Sequence, residues 1–349
     1  MKTEIIQITK DDNLEEKLAS AAEIIKSGGL VVFPTETVYG IGGDGLNPLA
    51  SKKIYEAKGR PQDNPLIIHI ATPEDARLYT DTNELYDRLA ERFMPGPLTV
   101  VLPAKECIPK ETRASLPTVA VRCPSHPVAR TLIKLAGTPI AAPSANLSGS
   151  PSPTKASHAI DDMMGRVDAI ISADDAEIGL ESTIVKIEDN NSLTLLRPGK
   201  ITMDELLAVT PNITVADAVT AQLKEGEKVL SPGMKYRHYA PKAPVILLDG
   251  DGEMAANYIL DNSKDKSVAV ICYKEDVAVI KEKAPDAFIY EFGEKDDKEA
   301  HARILFDTLR DADKRDFDVI YAPLPQKEGV GLALYNRMIR AAAYNIIKL

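Results

Sequence analysis

The sequence is poor in the residue types that most often build metal and redox centres. Its 349 residues include three cysteines, five histidines and no tryptophan. Cys107, Cys123 and Cys272 lie far apart and form no C-x-x-C pair, so we predict neither a zinc cluster nor a disulfide framework. A reducing cytoplasm is the simpler interpretation. The histidines show no H-x-x-x-H spacing, which gives no support for a structural metal site.

Positive charge and long apolar runs are also scarce. The 42 lysines and arginines are outnumbered by 52 acidic residues, which gives a net charge of -10. This balance argues against a broad electrostatic grip on nucleic acid or an anionic membrane, but it is compatible with a local basic pocket for a small anion. No apolar run of about 18 residues occurs, and the N-terminal segment lacks the apolar core of a signal peptide. We therefore expect a soluble, cytoplasmic protein.

Common catalytic signatures are missing as well. The chain has no G-x-x-x-x-G-K-[ST] loop and no G-x-S-x-G elbow, so covalent nucleophilic catalysis is not indicated. The string "GIGGDG" satisfies G-x-G-x-x-G only when it is read from Gly40 to Gly45. Asn47 and Pro48 follow at once, and we set a dinucleotide site aside.

The length and the apolar pattern predict two α/β domains. In residues 1–208, short apolar strands alternate with helical stretches, and close strand pairs near the end indicate a twisted mixed sheet with flanking helices. Residues 209–243 are polar and punctuated by proline, which is typical of a linker. In residues 244–349, strand–helix alternation predicts a smaller, Rossmann-like parallel domain that ends in a helix over about 330–347. Predicted strands of the first region include 30–33, 66–70, 98–102, 118–122, 139–142, 168–172, 182–187 and 193–196.

Hydroxyl and guanidinium groups occur at several predicted strand ends. Thr35 and Thr37 follow the strand at 30–33, which is a usual place for ligand groups in α/β folds. Arg122 and Arg197 end strands, where a guanidinium can clamp a carboxylate or phosphate, although surface ion pairs use the same residues. Ser182 begins a strand, where a plain polar turn residue is the alternative interpretation.

A basic turn precedes one of these strands. In "EAKGRPQDNPLIIHI", Lys58 and Arg60 are followed by Asn64 and by a strand that bears His69. Strand alternation places His69 on the face opposite to its isoleucine neighbours. A solvated basic turn with a surface histidine is the alternative.

A loop of small residues follows the strand at 139–142. In "PIAAPSANLSGSPSPT", Ser144, Asn146 and Ser152 supply polar groups that can cradle phosphates together with backbone N–H groups, although ordinary turn chemistry explains the same composition. Cations and hydroxyls directed at anions suit nucleotidyl transfer by positioning and charge neutralisation.

Eight strings in order resemble the threonylcarbamoyl-AMP synthase family, in its long two-domain form with an N-terminal YrdC-like domain. They cover about residues 10–241 and read "PTETVYG", "KIYEAKGRPQDNPLIIHI", "PGPLTVVL", "VAVRCPSHP", "PIAAPSANLSGSPSPT", "ESTIV", "LLRPG" and "SPGMKYRHYAP". The resemblance implies that L-threonine, bicarbonate or CO2, and ATP give threonylcarbamoyl-AMP and pyrophosphate. It also implies Mg2+ held by ATP rather than by protein ligands. A downstream transferase would then modify tRNA next to the anticodon, so that this chain contacts tRNA weakly or only indirectly.

The resemblance also assigns residues to the two substrates. The family's KxR…SxN signature corresponds to Lys58, Arg60, Ser144 and Asn146, and we expect Lys58 and Arg60 to neutralise growing phosphate charge. The L-threonine side would comprise Thr35, Thr37, His69, Arg122, Ala142 and Ser182. The ATP side would comprise Lys58, Arg60, Asn64, Thr118, Ser144, Asn146, Ser152, Arg197 and Tyr239.

The string "SPGMKYRHYAP" lies in the predicted linker. Composition alone predicts a solvated basic connector there. Beside a charge-lined pocket, the same residues suggest a lid over the ATP triphosphate. The lid residues would be Lys235, Tyr236, Arg237, His238 and Tyr239.

Two alternatives accompany this interpretation. A carbamoyltransferase with a YrdC-like domain would need zinc-binding cysteine clusters and a longer chain. A non-catalytic RNA-binding module would use the basic pocket for a phosphate backbone and would bind tRNA with strong salt dependence. The base that deprotonates the threonine amine is left open among solvent, bicarbonate and His69.

Overall fold

The computed structural model describes residues 2–221 and 239–349. It divides into two compact units. One comprises Met1–Ser148 with Ser152–Lys235, and the other comprises Gly149–Pro151 with Tyr236–Leu349. Of the predicted lid, Lys235, Tyr236, Arg237 and His238 lie outside the described residues.

The described part of the first unit contains one mixed sheet of eleven strands. The strands are β1 (Glu4–Gln7), β2 (Val31–Phe33), β3 (Gly40–Asp44), β4 (Ile67–His69), β5 (Leu98–Pro103), β6 (Thr118–Arg122), β7 (Ile140–Ala141), β8 (Ala169–Ser172), β9 (Thr183–Ile187), β10 (Ser192–Arg197) and β11 (Asn212–Val215). Their order in the sheet is β1-β8-β2-β3-β7-β4-β6-β5-β9-β10-β11. Parallel and antiparallel pairs alternate irregularly, as predicted for a mixed sheet.

Helices cover this sheet. They are α1 (Leu14–Lys17), α2 (Ala19–Lys26), α3 (Pro48–Lys58), α4 (Ala76–Tyr79), α5 (Glu84–Phe93), α6 (Pro127–Ala136), α7 (Ala156–Met163) and α8 (Met203–Leu207). One core cluster joins α2 and α6 to the sheet through Ile25, Phe33, Leu132 and Ile171, all buried. Apolar residues at helical spacing therefore face the strands, and polar residues such as His69 and Arg122 lie at the ends of central strands.

Strand β3 is built from glycines because its neighbours leave no room for side chains. A Cβ added at Gly42 would lie 2.5 Å from Ile140 Cγ2 and 2.7 Å from Phe33 Cε1. The "GIGGDG" string is thus a buried strand and the turn after it, and its glycines allow close strand packing.

The second unit holds a five-stranded sheet in which every pair among the described residues is parallel. Its strands are β12 (Val245–Asp249), β13 (Val268–Cys272), β14 (Phe288–Glu291), β15 (Val319–Pro323) and β16 (Ile346–Lys348), in the order β14-β13-β15-β12-β16. Its helices are α9 (Gly252–Asn262), α10 (Val277–Lys283), α11 (Lys298–Asp313) and α12 (Gly331–Ala341).

Two details differ from the sequence prediction. The last helix ends at Ala341 instead of continuing to about residue 347, because Ala343 and Tyr344 adopt φ angles of 48° and 63°. The chain then forms β16, which pairs with β12. In addition, β11 extends the first sheet within the stretch predicted as linker. No helix in the described ranges is long and apolar enough to cross a membrane.

Candidate active site

The ends of two parallel strands place Arg122 and His69 side by side. His69 at the end of β4 is the register partner of Arg122 at the end of β6. Arg122 Nη2 donates to Glu36 Oε1 at 2.8 Å, and both side chains are 5% exposed. His69 is also buried, so the alternative of a surface histidine is wrong.

Glu36 is a candidate site residue that sequence reasoning missed. It lies between Thr35 and Thr37, and its Oε2 has no hydrogen-bond partner among the described residues. The Nε of Arg122 is likewise without a partner within the described ranges. Buried polar atoms are normally bonded, so these two atoms mark a place where a ligand can bind. The string "PTETVYG" contained one signal for this role. Its acid, Glu36, follows a buried strand closely and has little access to solvent.

Burial and charge determine the protonation states of Glu36 and of the neighbouring His69. Burial alone would raise the pKa of Glu36, but the charge and hydrogen bond of Arg122 hold that pKa below its ordinary value. Burial, together with the positive charge of Arg122, lowers the pKa of His69 to about 3. The cluster therefore presents a carboxylate, a guanidinium and a neutral imidazole.

The two threonines after β2 form a tight hydroxyl pair. Thr35 Oγ1 lies 2.8 Å from Thr37 Oγ1 and donates to the carbonyl of Val38 at 2.6 Å. It also accepts from the amides of Thr37 and Val38, each at 3.2 Å. Thr35 therefore shapes the turn that orients the Thr37 hydroxyl.

A second hydroxyl pair lies on the other side of Arg122. Thr99 is the register partner of Arg122 in β5, and its hydroxyl is 2.7 Å from the Ser182 hydroxyl. Arg197 donates from Nε to the Ser182 carbonyl at 3.0 Å and from Nη2 to its hydroxyl at 3.1 Å. Arg197, assigned to the ATP side, thus contacts a residue assigned to the L-threonine side. Thr99 was not predicted, because it reads as an ordinary β-branched strand residue.

The sequence suggested that Lys58 lies on a turn, but Lys58 is the last residue of α3. Gly59 closes the helix with φ 61°. The buried Lys58 Nζ donates to the carbonyls of Ser144 and Asn146, both at 2.5 Å, and to Asn146 Oδ1 at 3.3 Å. The Ser144 hydroxyl donates to that same Oδ1 at 2.5 Å. Three of the four residues of the KxR…SxN signature, Lys58, Ser144 and Asn146, are therefore in direct contact.

The fourth, Arg60, lies just beyond the helix. Its Nη2 donates to the carbonyls of Asn64 and Pro65, each at 3.2 Å. Asn64 is buried, and within the described residues its Oδ1 has no hydrogen-bond partner. Thr118 begins β6, which is parallel to β4, so Thr118 and Asn64 lie toward the same end of their strands. Arg60, Asn64 and Thr118 therefore lie near the amino ends of β4 and β6, whereas His69 and Arg122 lie at the carboxyl ends.

Ser152, Ala142 and Tyr239 are the remaining predicted residues that the structure describes. The Ser152 hydroxyl donates to Glu181 Oε1 at 2.5 Å, and Glu181 was not predicted. Ala142 is buried and its amide donates to the carbonyl of Ile67 at 2.8 Å. Tyr239 belongs to the second unit, has φ 64° and stacks on Phe306 with ring centroids 5.0 Å apart.

The segment after β2 connects the two ends of the site. Glu36 reaches Arg122 at one end, while the Tyr39 carbonyl accepts from the Ala145 amide at 2.8 Å at the other. One end thus offers a carboxylate, a guanidinium and hydroxyls, which suits a small zwitterion. The other offers Lys58, Arg60 and a loop of small residues, which suits phosphates. In the described ranges, no three His, Cys, Asp or Glu side chains are grouped to hold a metal ion.

Comparison with known proteins identifies the class of this fold. The family model for Sua5, YciO and YrdC, described as "Telomere recombination", matches residues 23–199. A second model, described as the C-terminal domain of threonylcarbamoyl-AMP synthase, matches residues 201–343. The first unit therefore contains a Sua5/YrdC domain, with the mixed α/β fold predicted.

Whole-chain relatives carry the assignment further. The threonylcarbamoyl-AMP synthase of Pyrococcus abyssi (strain GE5 / Orsay) is 43% identical over 98% of this chain and 99% of its own length. That of Bacillus subtilis (strain 168) is 41% identical, and the match covers all of both chains. A crystal structure of P. abyssi Sua5 complexed with L-threonine is 40% identical, with a TM-score of 0.88 over 100% of both chains. This chain belongs to the threonylcarbamoyl-AMP synthase family.

Proposed function

We propose that this chain synthesises threonylcarbamoyl-AMP and pyrophosphate from L-threonine, bicarbonate or CO2, and ATP. It is therefore a nucleotidyltransferase. The buried Arg122–Glu36 pair carries this proposal, because each partner keeps an atom with no hydrogen-bond partner among the described residues. A ligand with one carboxylate and one amino group complements those two atoms. The P. abyssi structure with bound L-threonine supports this choice of ligand.

At the L-threonine end, Arg122 binds the carboxylate. Its Nε has no hydrogen-bond partner among the described residues, so a second carboxylate can share the guanidinium. The hydroxyls of Thr37 and Ser182 then contact the polar groups of the substrate. Glu36 holds the guanidinium in place and offers its second oxygen to the amino group.

At the phosphate end, Lys58 and Arg60 neutralise charge. The reaction has an anionic carbamate attack the α-phosphate and expel pyrophosphate, so negative charge grows on the phosphates. Ser144, Asn146 and Ser152 orient these groups through hydroxyl, amide and backbone contacts. Mg2+ bound to the ATP phosphates would share the neutralisation and needs no ligand from the protein.

His69 is unsuited to act as the base. A histidine with a pKa of about 3 does not hold a proton taken from an ammonium group near neutral pH. As a neutral imidazole it can position the substrate by hydrogen bonding. The amine therefore loses its proton to bicarbonate or solvent.

The product is an acyl-adenylate, which a transferase consumes in modifying tRNA next to the anticodon. The net charge of -10 suits a protein that passes on a small molecule rather than gripping tRNA. The domain limits 1–208, 209–243 and 244–349 and the lid over ATP remain proposals. A truncation that tests the lid should follow Ala221, since a cut near residue 210 would delete β11 from the first sheet.

The decisive experiment is mass spectrometry of products formed from ATP, L-threonine and labelled bicarbonate. We expect one label in threonylcarbamoyl-AMP and one pyrophosphate released with it. L-Serine and L-valine serve as control substrates, since each lacks one part of the threonine side chain. Equal pyrophosphate release without an amino acid would overturn the assignment.

A further inference from the structure

The second unit contains a cavity of about 250 Å3 that the proposed reaction does not use. It is lined by the ends of β12, β13 and β15 and by the first turns of α9, α11 and α12. One part of its wall is apolar and includes Ile259, Val270 and Leu334. A concave site with an apolar floor and a polar rim is typical of small-molecule binding.

The cavity lies where the chain reverses the direction in which it adds strands to the sheet. The connection from β12 through α9 to β13 crosses over β15 toward the β14 edge of the sheet. The connection from β15 through α12 to β16 crosses over β12 toward the opposite edge. Because such crossovers are right-handed, α9 and α12 lie on opposite faces of the sheet. Helix α9 packs against α10, and α11 packs against α12, as this requires. The crevice between β12 and β15 is therefore the switch point at which open α/β sheets bind ligands.

Two glycines allow the walls of the cavity to approach each other closely. A Cβ added at Gly252 would lie 2.0 Å from Asp276 Oδ1, and one at Gly331 would lie 2.3 Å from the Gln326 carbonyl. Any side chain at these positions would displace the rim. The opening thus depends on glycine at the start of α9 and α12.

The rim has charges of both signs. Asp249, Asp251 and Asp276 lie on the β12–β13 side, and Lys295 and Lys298 lie on the α11 side. Asp251 is engaged as the N-cap of α9, where it accepts from the Met254 amide at 2.9 Å. Burial and the nearby carboxylates raise the pKa of Asp276, while Lys295 opposes that rise. A cation near Asp276 would therefore be stabilised.

Other ligand classes fit this rim less well. With Asp296, four aspartates and two lysines line the cavity, so its net negative charge disfavours polyphosphates. Its volume is below the roughly 300–1,000 Å3 of sites for drug-sized ligands, which disfavours dinucleotides. Metal ions are disfavoured too, since the described residues contain no grouping of three ligands.

We infer that this cavity binds a free α-amino acid. The ammonium group lies at Asp276 and Asp249, the carboxylate lies at Lys295 and Lys298, and the side chain contacts the apolar wall. This second site is independent of the proposed synthase reaction, because all of its residues belong to the second unit.

Thermal unfolding of the full chain with each protein amino acid tests the inference. At a roughly hundredfold excess over Kd, the bound amino acid should raise the Tm of the second unit by at least about 5 °C. Asp276→Asn should weaken this binding at least about tenfold, because it removes the charge that pairs with the ammonium group. Ala255→Met, which fills the cavity without changing charge, should abolish the shift.

Asp286→Asn is the matched control, because Asp286 is exposed and does not line the cavity. Binding of L-threonine in the first unit does not interfere, since its contribution would persist in all three variants. The inference fails if no amino acid shifts the Tm of the second unit, or if that shift survives both Asp276→Asn and Ala255→Met. It also fails if AMP or adenosine, rather than an amino acid, gives the shift that depends on Asp276.

Discussion

The two units place polar groups in contrasting surroundings. In the first unit, Arg122, Glu36 and Lys58 are buried and already bonded to other protein groups. In the second, Asp276 and Lys298 are half-buried on the rim of a crevice. Burying charge costs free energy that only paired geometry offsets. The first site is therefore coupled to the stability of its unit, whereas the second can change with little structural cost.

The strongest test of this contrast is removal of Arg122. Arg122→Ala leaves the Glu36 carboxylate buried without its partner, and we expect the first unit to lose about 3–5 kcal/mol of unfolding free energy. Native-state hydrogen exchange on peptides of the first unit measures this loss, because a two-unit chain need not unfold in one step. The double variant Arg122→Met with Glu36→Leu should regain most of it.

The exposed Arg77–Asp87 pair supplies the control for that prediction. Arg77→Ala should change the free energy of unfolding by less than about 1 kcal/mol, because both side chains are half-exposed. Equal losses in Arg77→Ala and Arg122→Ala would show that burial does not decide the outcome.

Removal of Lys58 should act on turnover as well as on the stability of the first unit, because its Nζ is buried and bonded to Ser144 and Asn146. Lys58→Ala is expected to lower the rate of pyrophosphate release by about 100-fold or more, as loss of a preorganised charge donor does. Lys52→Ala on the same helix is the control, since Lys52 is exposed and pairs only weakly with Glu111 at 3.6 Å. Full activity of Lys58→Ala would remove the phosphate end from the mechanism.

Acid should weaken the first unit through His69. The folded state keeps His69 neutral down to about pH 3, whereas the unfolded chain takes up the proton near the ordinary pKa of 6.5. The unfolded state binds more protons in this window, so stability falls as the pH falls, by up to about 1.4 kcal/mol per pH unit. In His69→Gln, hydrogen exchange should show a shallower dependence between pH 6.5 and 3. Parallel profiles for the parent and variant would contradict the buried neutral state.

The smallest effect is expected in the second unit. Asp276→Asn should leave pyrophosphate release unchanged within about twofold, because rim substitutions without buried partners cost little. The assay is the one used for Lys58→Ala. A large loss of turnover would mean that the two units are not separable in function.

Regular elements with clear periodicity were predictable from the sequence. Strand β6 matches the predicted 118–122, and β4 lies within the predicted 66–70. Strand β3 escaped prediction because glycine has low strand propensity, and its presence depends on packing against Phe33 and Ile140. Strand β11 escaped because it is exposed and short, and only pairing with β10 defines it.

For the candidate site, the sequence indicated several residues but few of the contacts that the structure shows between them. Arg122, His69, Ser144 and Asn146 were found by motif. Glu36 was not, because its role depends on a long-range approach to Arg122 that no local pattern encodes. Likewise the pKa of His69 depends on burial beneath neighbouring strands, which alternation alone does not determine.

The bonding of Lys58 has a consequence for nucleotide binding. An ammonium group has three hydrogens, and Nζ already lies within bonding distance of three oxygens of Ser144 and Asn146. A phosphate oxygen can reach this lysine only by replacing one of them. In the proposed mechanism, the loop at 144–146 therefore competes with ATP for Lys58, and part of the nucleotide's binding free energy would be spent on breaking one of these bonds.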